Sequence, residues 1–182
     1  MVKRTLLFAL VILFTAGVAR GSEFSLRMDW SGVDFDWREL DGADADSGWD
    51  FCWRLALDFW PVHRAFAGLE LGWAVFPLTT ESTDDGLTTI QQRVVWQEGA
   101  IRAGLAPLNE IIRPVLFAKL RYAWADFDVG FDDRAYWIVS GGAGVDVLLS
   151  ADLGLFAFGE YGAALDGSVI QQALGGGIML RF

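Results

Sequence analysis

The sequence predicts an all-β protein, a closed eight-stranded antiparallel up-and-down transmembrane β-barrel, on three observations. Beyond the N-terminal segment, side chains alternate between large apolar and small or polar, the two-residue period of a strand. The chain is 53% hydrophobic, with nine Trp and fourteen Phe, yet it also carries 24 Asp and Glu. No uncharged apolar run past the N-terminus approaches the ~20 residues that a membrane-spanning helix needs. Strands with one greasy and one polar face account for all three.

The first element is set aside before the fold is read. Lys3 and Arg4 precede an uncharged run from Leu6 to Val18, and small residues at Gly17, Ala19 and Gly21 mark its end. That is the three-part pattern of a secretory signal peptide, and the run is too short to cross a bilayer as a helix. Residues 1–21 are therefore expected to be a signal peptide, with cleavage after Ala19 or Gly21, and residues 22–182 the barrel domain. With Lys3, Arg4 and Arg20 removed, the charge of the remainder is 11 − 24 = −13. So acidic a chain is a poor partner for nucleic acid, whose phosphates require a basic surface. The one cysteine, Cys52, excludes an intramolecular disulfide.

Eight strands follow in order. In the first, Phe24, Leu26, Met28 and Trp30 share a face opposite Ser25, Arg27, Asp29 and Ser31. Gly32 reads there as a bulge that shifts the phase, so that Val33, Phe35 and Trp37 continue the apolar face. The second sets Trp49, Phe51, Trp53, Leu55, Leu57 and Phe59 against Asp50, Cys52, Arg54, Ala56 and Asp58, and Pro61-Val62-His63 turns the chain. The third sets Ala65, Ala67, Leu69, Leu71, Trp73 and Val75 against Phe66, Gly68, Glu70, Gly72 and Ala74. A polar loop, Thr79 to Thr89, comes next. The fourth lies near Ile90 to Ala106, with Ile101, Ala103 and Leu105 opposite Glu98, Ala100 and Arg102; Val94-Val95-Trp96 does not hold that phase.

After a turn near 107–112, the fifth strand sets Leu116, Ala118, Leu120, Tyr122 and Trp124 against Phe117, Lys119, Arg121 and Ala123. An acidic loop, Asp126 to Arg134, leads to the sixth, with Trp137, Val139, Ala143, Val145 and Val147 opposite Ser140, Gly142, Gly144 and Asp146. The seventh sets Leu153, Leu155, Ala157 and Tyr161 against Phe156, Phe158, Glu160 and Gly162. The eighth sets Ile170, Leu174, Ile178, Leu180 and Phe182 against Gln171, Ala173, Gly175, Gly177 and Arg181. Connections near 61–63, 107–112 and 150–152 are short, and the others are mostly longer and more acidic. Short turns at one end, loops at the other and an even strand count are the outer-membrane barrel pattern.

Which face points outward decides between membrane and water. The face rich in Leu, Val, Ile and Trp is too continuous to leave in water, and an eight-stranded barrel is only wide enough inside for side chains. A soluble lipocalin-like ligand-binding barrel would have the faces reversed. The aromatic residues Trp37, Trp49, Trp73, Tyr122, Trp124, Tyr136 and Trp137 fall near the outer rim, and Phe59, Trp60 and Phe182 near the inner one, as two interfacial girdles would.

The last strand, Leu174-Gly175-Gly176-Gly177-Ile178-Met179-Leu180-Arg181-Phe182, resembles the C-terminal signature of outer-membrane barrels, with Ile178, Leu180 and the terminal Phe182 as its alternating apolar positions. The overall plan is similar to the membrane domain of outer membrane protein A and the opacity-protein group. That resemblance implies a bacterial outer-membrane location, lipid and lipopolysaccharide as surroundings, the barrel-assembly machinery as a partner in biogenesis, and a monomer. It covers the whole of 22–182 and rests on architecture.

Inside, Arg27, Arg54, Arg102, Lys119 and Arg121 face Asp29, Glu70, Glu98, Asp146 and Glu160. Charges in a narrow dry lumen must be paired, so the set reads as an internal salt-bridge network that plugs the barrel; the alternative is a narrow channel for ions or small solutes. Enzymes that share this resemblance typically use a His with Ser or Asp at the outer rim, whereas the one histidine here, His63, falls in a turn without such partners. No catalytic, metal or cofactor site is predicted, because one His and one Cys make no metal ligand set. The acidic loops, including Asp126, Asp128, Asp132 and Asp133, read as solvated surface. The expected role is a non-enzymatic integral outer-membrane protein serving envelope structure or surface interaction.

Overall fold

The computed structural model describes residues 23–38, 45–62, 64–82, 88–107, 111–128 and 132–182. The predicted signal peptide and His63 lie outside them. Eight strands run in chain order: β1 (Glu23–Trp37), β2 (Ala45–Val62), β3 (Ala65–Ser82), β4 (Thr88–Leu105), β5 (Ile112–Phe127), β6 (Arg134–Leu148), β7 (Leu153–Ala164) and β8 (Val169–Arg181). Each pairs antiparallel with its sequence neighbours, and β1 pairs with β8 to close the barrel. The seam is sealed to the last residue: the Phe24 amide donates to the Phe182 carbonyl at 2.9 Å, and the Phe182 amide to the Phe24 carbonyl at 3.0 Å. Closure leaves no unpaired edge, the condition for a sheet to sit in hydrocarbon.

Both termini of the barrel and the connections at 63–64, 106–111 and 149–152 share one end, here the turn end. The connections at 38–44, 83–87, 128–133 and 165–168 make the loop end. The expected polar loop at 79–89 is mostly strand, since β3 and β4 pair out to Ser82 and Thr88. The contrast in length between the two ends is correspondingly small.

The exterior is apolar. Phe51 is 61% and Leu71 64% exposed, and Met28, Trp53, Leu69, Ile101, Leu116, Val139, Leu155, Leu174 and Ile178 also point outward. The charged side chains of the mid-barrel, among them Arg27, Arg54, Glu70, Arg121 and Glu160, point the other way and are buried. This is the reverse of a soluble ligand-binding barrel and the arrangement that a lipid surround requires.

Two local readings of the sequence are corrected. Gly32 is not a bulge: Ser31, Val33, Phe35 and Trp37 stay on the lumen side in phase with Arg27 and Asp29, and the register of β1 on β2 shifts only between Asp34 and Asp36. Likewise Val94 and Trp96 are buried in phase with Glu98, so β4 keeps its alternation from Arg93 through Ala103. In both places the strand keeps its period and the chemistry of the interior changes, from charged to apolar. Trp37, Tyr136 and Trp60, expected in the girdles, therefore lie inside the barrel, 5%, 3% and 2% exposed. Trp49, Trp73, Tyr122, Trp124 and Trp137 point outward.

Candidate functional site in the barrel lumen

The lumen is filled in three layers. At the loop end Phe35, Trp37, Phe76, Trp96, Phe127 and Tyr136 pack with Val33, Leu78, Val94 and Ile138. Ring centroids there lie 4.7 Å apart for Phe35 and Trp96 and 5.0 Å for Phe35 and Phe76, and Trp37 meets Trp96 edge-on at 5.9 Å. These are tilted, stacked and edge-to-face contacts within the centroid range that aromatic pairs favour. Cys52 is buried in the same layer. At the turn end Trp60, Phe66, Ala106, Val115 and Phe117 form a smaller apolar layer.

Between them lie the charges. Six cations (Arg27, Arg54, Arg102, Arg113, Lys119, Arg121) and six carboxylates (Asp29, Asp58, Glu70, Glu98, Asp146, Glu160) are all buried. Eleven of them form one chain of alternating sign. It starts at Arg113, whose guanidinium holds Asp146 at 2.8 Å, and Asp146 also takes both guanidinium nitrogens of Arg27, at 2.9 and 2.8 Å. Arg27 approaches Asp58 at 2.9 Å, and Asp58 approaches Arg102 at 3.3 Å. Glu70 accepts from Arg102 at 3.0 Å and from Lys119 at 2.8 Å. Lys119 donates to Glu160 at 2.7 Å, Glu160 accepts from Arg121 at 2.5 Å, and Arg121 lies 3.3 Å from Glu98. Glu98 ends the chain at Arg54, 2.6 Å away. Arg121 also donates to the Gln171 side chain.

The strands dictate this geometry. Register sets Arg102 directly opposite Lys119 across β4 and β5, two like charges that would repel if left alone. Glu70 reaches them from β3 and binds one with each oxygen. Its neighbours on the same face are Gly68 and Gly72, and the space each leaves is used. A Cβ at Gly72 would stand 2.6 Å from Glu98 Cγ, and one at Gly68 would overlap the Asp58 carboxylate. The run Gly68-Leu69-Glu70-Leu71-Gly72 is thus a socket for three carboxylates on one strand face.

Side chains join the layers. The Trp96 indole N–H donates to Glu98 at 2.8 Å, tying the loop-end aromatics to the charges. At the other end the Arg113 guanidinium lies 4.4 Å over the Trp60 ring, and the Trp60 N–H donates to Ser25 at 3.0 Å. Lys119 and Arg102 similarly sit over Phe117, at 5.1 and 5.5 Å. Cation–π contact of this kind strengthens when the cation is desolvated.

All ten charges singled out in the sequence lie in this lumen. Sequence reading missed two more, Asp58 and Arg113. Both were signalled: Asp58 shares the parity of Arg54 on β2, and Arg113 that of Lys119 and Arg121 on β5. Each stood too near an inferred turn to be counted. Ile178, Leu180 and Phe182 of the last strand point outward.

No protein-family model matches the chain, and no curated protein matches it. Solved structures do. Neisserial surface protein A superposes with a TM-score of 0.66 at 15% identity, over 89% of this chain and 99% of that one. The outer membrane protein OprG of Pseudomonas aeruginosa gives 0.63 at 14% identity, over 90% and 97%. Ail, the attachment invasion locus protein of Yersinia pestis, gives 0.58 at 16%, over 88% and 99%. Identity this low speaks to fold alone, and the chain has the fold of the small eight-stranded outer-membrane β-barrels.

Proposed function

We propose that this chain is a non-enzymatic integral protein of a bacterial outer membrane whose lumen is a permanent plug. The observation that carries the reading is the unbroken alternating chain from Arg113 to Arg54, packed between two apolar layers. An ion entering the barrel would have to part hydrogen-bonded ion pairs, and leaving one partner of a buried pair uncompensated costs about 3–5 kcal/mol. The aromatic layer adds a second barrier, since its few polar atoms, the Trp37 and Trp96 indole N–H groups and the Tyr136 hydroxyl, cannot replace a hydration shell. The protein then serves the envelope through its shape and surface, as a monomer surrounded by lipid and lipopolysaccharide. The test is planar-bilayer recording on the refolded barrel: a flat baseline is expected, and a reproducible single-channel conductance overturns the plug.

One observation favours a second reading, the narrow channel. Glu70 lies within reach of four cations, with Lys119 at 2.8 Å, Arg102 at 3.0 Å, Arg121 at 3.6 Å and Arg54 at 3.9 Å. A carboxylate so placed can exchange partners without losing all of them, which is the motion a gate needs. Replacing Glu70 by Gln separates the two: unchanged conductance sinks the gate, and raised conductance supports it.

The exposed surface narrows the partners. Asp36, Asp126, Asp128, Asp132 and Asp133 are exposed at the loop end, with Arg38 paired to Asp36 at 3.2 Å. Ail has been crystallised with the heparin analogue sucrose octasulfate; an acidic rim argues against a polysulfate ligand here. Bridging of these carboxylates to lipopolysaccharide phosphates by divalent cations suits the same charges, and neutralising them should then alter sensitivity to chelators. The outward-facing Ile178, Leu180 and Phe182 are the segment offered to the barrel-assembly machinery, and deleting Phe182 should reduce the amount assembled in vivo.

A further inference from the structure

The charged layer is neutral in sum, six against six, yet its connected chain holds six cations and only five carboxylates. The missing negative charge is Asp29. It is 2% exposed, its Oδ1 meets no hydrogen-bond donor, and no ion pair reaches it among the described residues. A desolvated carboxylate without a donor is costly. Charge surrounds it on every side. Arg54 lies opposite it on β2, Glu70 on β3, Arg102 on β4 and Lys119 on β5 act on it across the lumen, and its other strand neighbour is Gly177 on β8.

Asp29 lines a cavity with Arg27, Arg102, Lys119, Val115 and Asp146, among others. The space open to the centre of a water-sized sphere is about 10 Å³, which is room for one water. A donor is available there as well. The Lys119 ammonium has three N–H bonds; Glu70 takes one at 2.8 Å and Glu160 another at 2.7 Å. No acceptor among the described residues takes the third.

We propose that this cavity is a binding site for one water molecule, which accepts from the third Lys119 N–H and donates to Asp29 Oδ1. The twelfth charge of the lumen then joins the chain through solvent. The lining disfavours other small ligands: a cation would face Arg27, Arg102 and Lys119, and a simple anion has no hydrogen to donate to Asp29 Oδ1. Water alone supplies a donor to one wall and an acceptor to the other. A buried water with polar partners on both sides is costly to remove, and its bridging bonds are nearly as good as direct ones.

The test is water-to-amide cross-relaxation by NMR on the refolded barrel in lipid nanodiscs, read at the amides of Asp29, Gly144 and Phe158. A long-lived water cross-peak is expected in the unaltered protein, and its absence overturns the site outright. Val115→Ile adds one methylene to the cavity wall and touches no charge; it should abolish the cross-peak, as should Asp29→Met, while Asp29→Asn should keep it. A cross-peak that survives Val115→Ile places the water elsewhere and also overturns the proposal. Conductance is not read here, so a conducting barrel would refute the plug and leave the water site standing.

Discussion

The two halves of the lumen solve one problem, filling a narrow barrel, by opposite chemistry. Toward the loop end the interior is a conventional hydrophobic core: Phe35, Trp37, Phe76 and Trp96 interdigitate and need nothing from one another but shape. In the middle the interior is ionic, and eleven of the twelve charges depend on a named partner. Apolar packing degrades gradually, since the cost of a truncation scales with the cavity left behind. An ion-pair chain does not, because one deletion strands a charge in a low-dielectric space. The halves should therefore differ in how they fail.

The largest effect is expected at Glu70. Glu70→Ala leaves Arg102 and Lys119 opposed across β4 and β5 with no carboxylate between them, and should cost about 3–5 kcal/mol. Urea unfolding of the barrel in lipid vesicles, followed by Trp fluorescence, measures it. Adding Lys119→Met to that variant removes one of the opposed cations, so the double variant should lose less than the sum of the singles. Simple additivity would mean that the pairs are independent and the chain is not a unit.

The same contrast explains what was legible in the sequence. Where the interior is charged, the alternation of Arg27 and Asp29 with Leu26 and Met28 gave both strand and face at once. At the loop end the interior is as apolar as the exterior, and the cue that tells inside from outside disappears. Composition there places Val33, Phe35 and Trp37 on the lipid face and makes Gly32 read as a bulge. A two-residue period cannot say which face is which; only a difference between faces can. For the same reason Trp96 looked out of phase with Glu98, although the two share a face and a hydrogen bond. The pairing of the lumen charges was beyond the sequence altogether, since Arg27 and Asp146 stand 119 residues apart.

Trp96 marks the seam between the halves and sharpens the comparison. Trp96→Phe keeps an aromatic ring in the layer but removes the donor to Glu98. A hydrogen bond to a charged group is worth about 1.5–3 kcal/mol, and the loss should fall at that level. Phe76→Leu, wholly within the apolar layer, should lower stability without altering the effect of Trp96→Phe on Glu98. Non-additivity between those two would show that the layers are not separable. Gly72→Ala tests the socket from the other side. Its Cβ would crowd Glu98 at 2.6 Å, and overpacking of this kind costs about 1–3 kcal/mol. A neutral outcome would mean that Glu98 has room to retreat from Arg54.

The smallest effect lies outside the barrel and shows what burial adds. In the β7–β8 loop Asp166 accepts from the Ser168 hydroxyl at 2.6 Å and from the Ser168 amide at 3.0 Å, with Gly167 between them at a φ of 80°. A left-handed φ suits glycine there. These are carboxylate hydrogen bonds as short as many in the lumen, but Asp166 stands in water. Donation from the Ser168 hydroxyl, and then from its amide, holds the Asp166 carboxyl below its ordinary value of 3.8. Because the folded value is the lower one, the turn gains stability from this carboxylate above the unfolded value and loses it as pH falls through the folded one. An NMR titration of Asp166 should give a midpoint under 3.8, and Ser168→Ala should move it upward. Melting should hardly change with either, since exposed charge contacts contribute little. If Ser168→Ala instead destabilised the barrel as much as Glu70→Ala does, then burial would not be what makes the lumen charges indispensable.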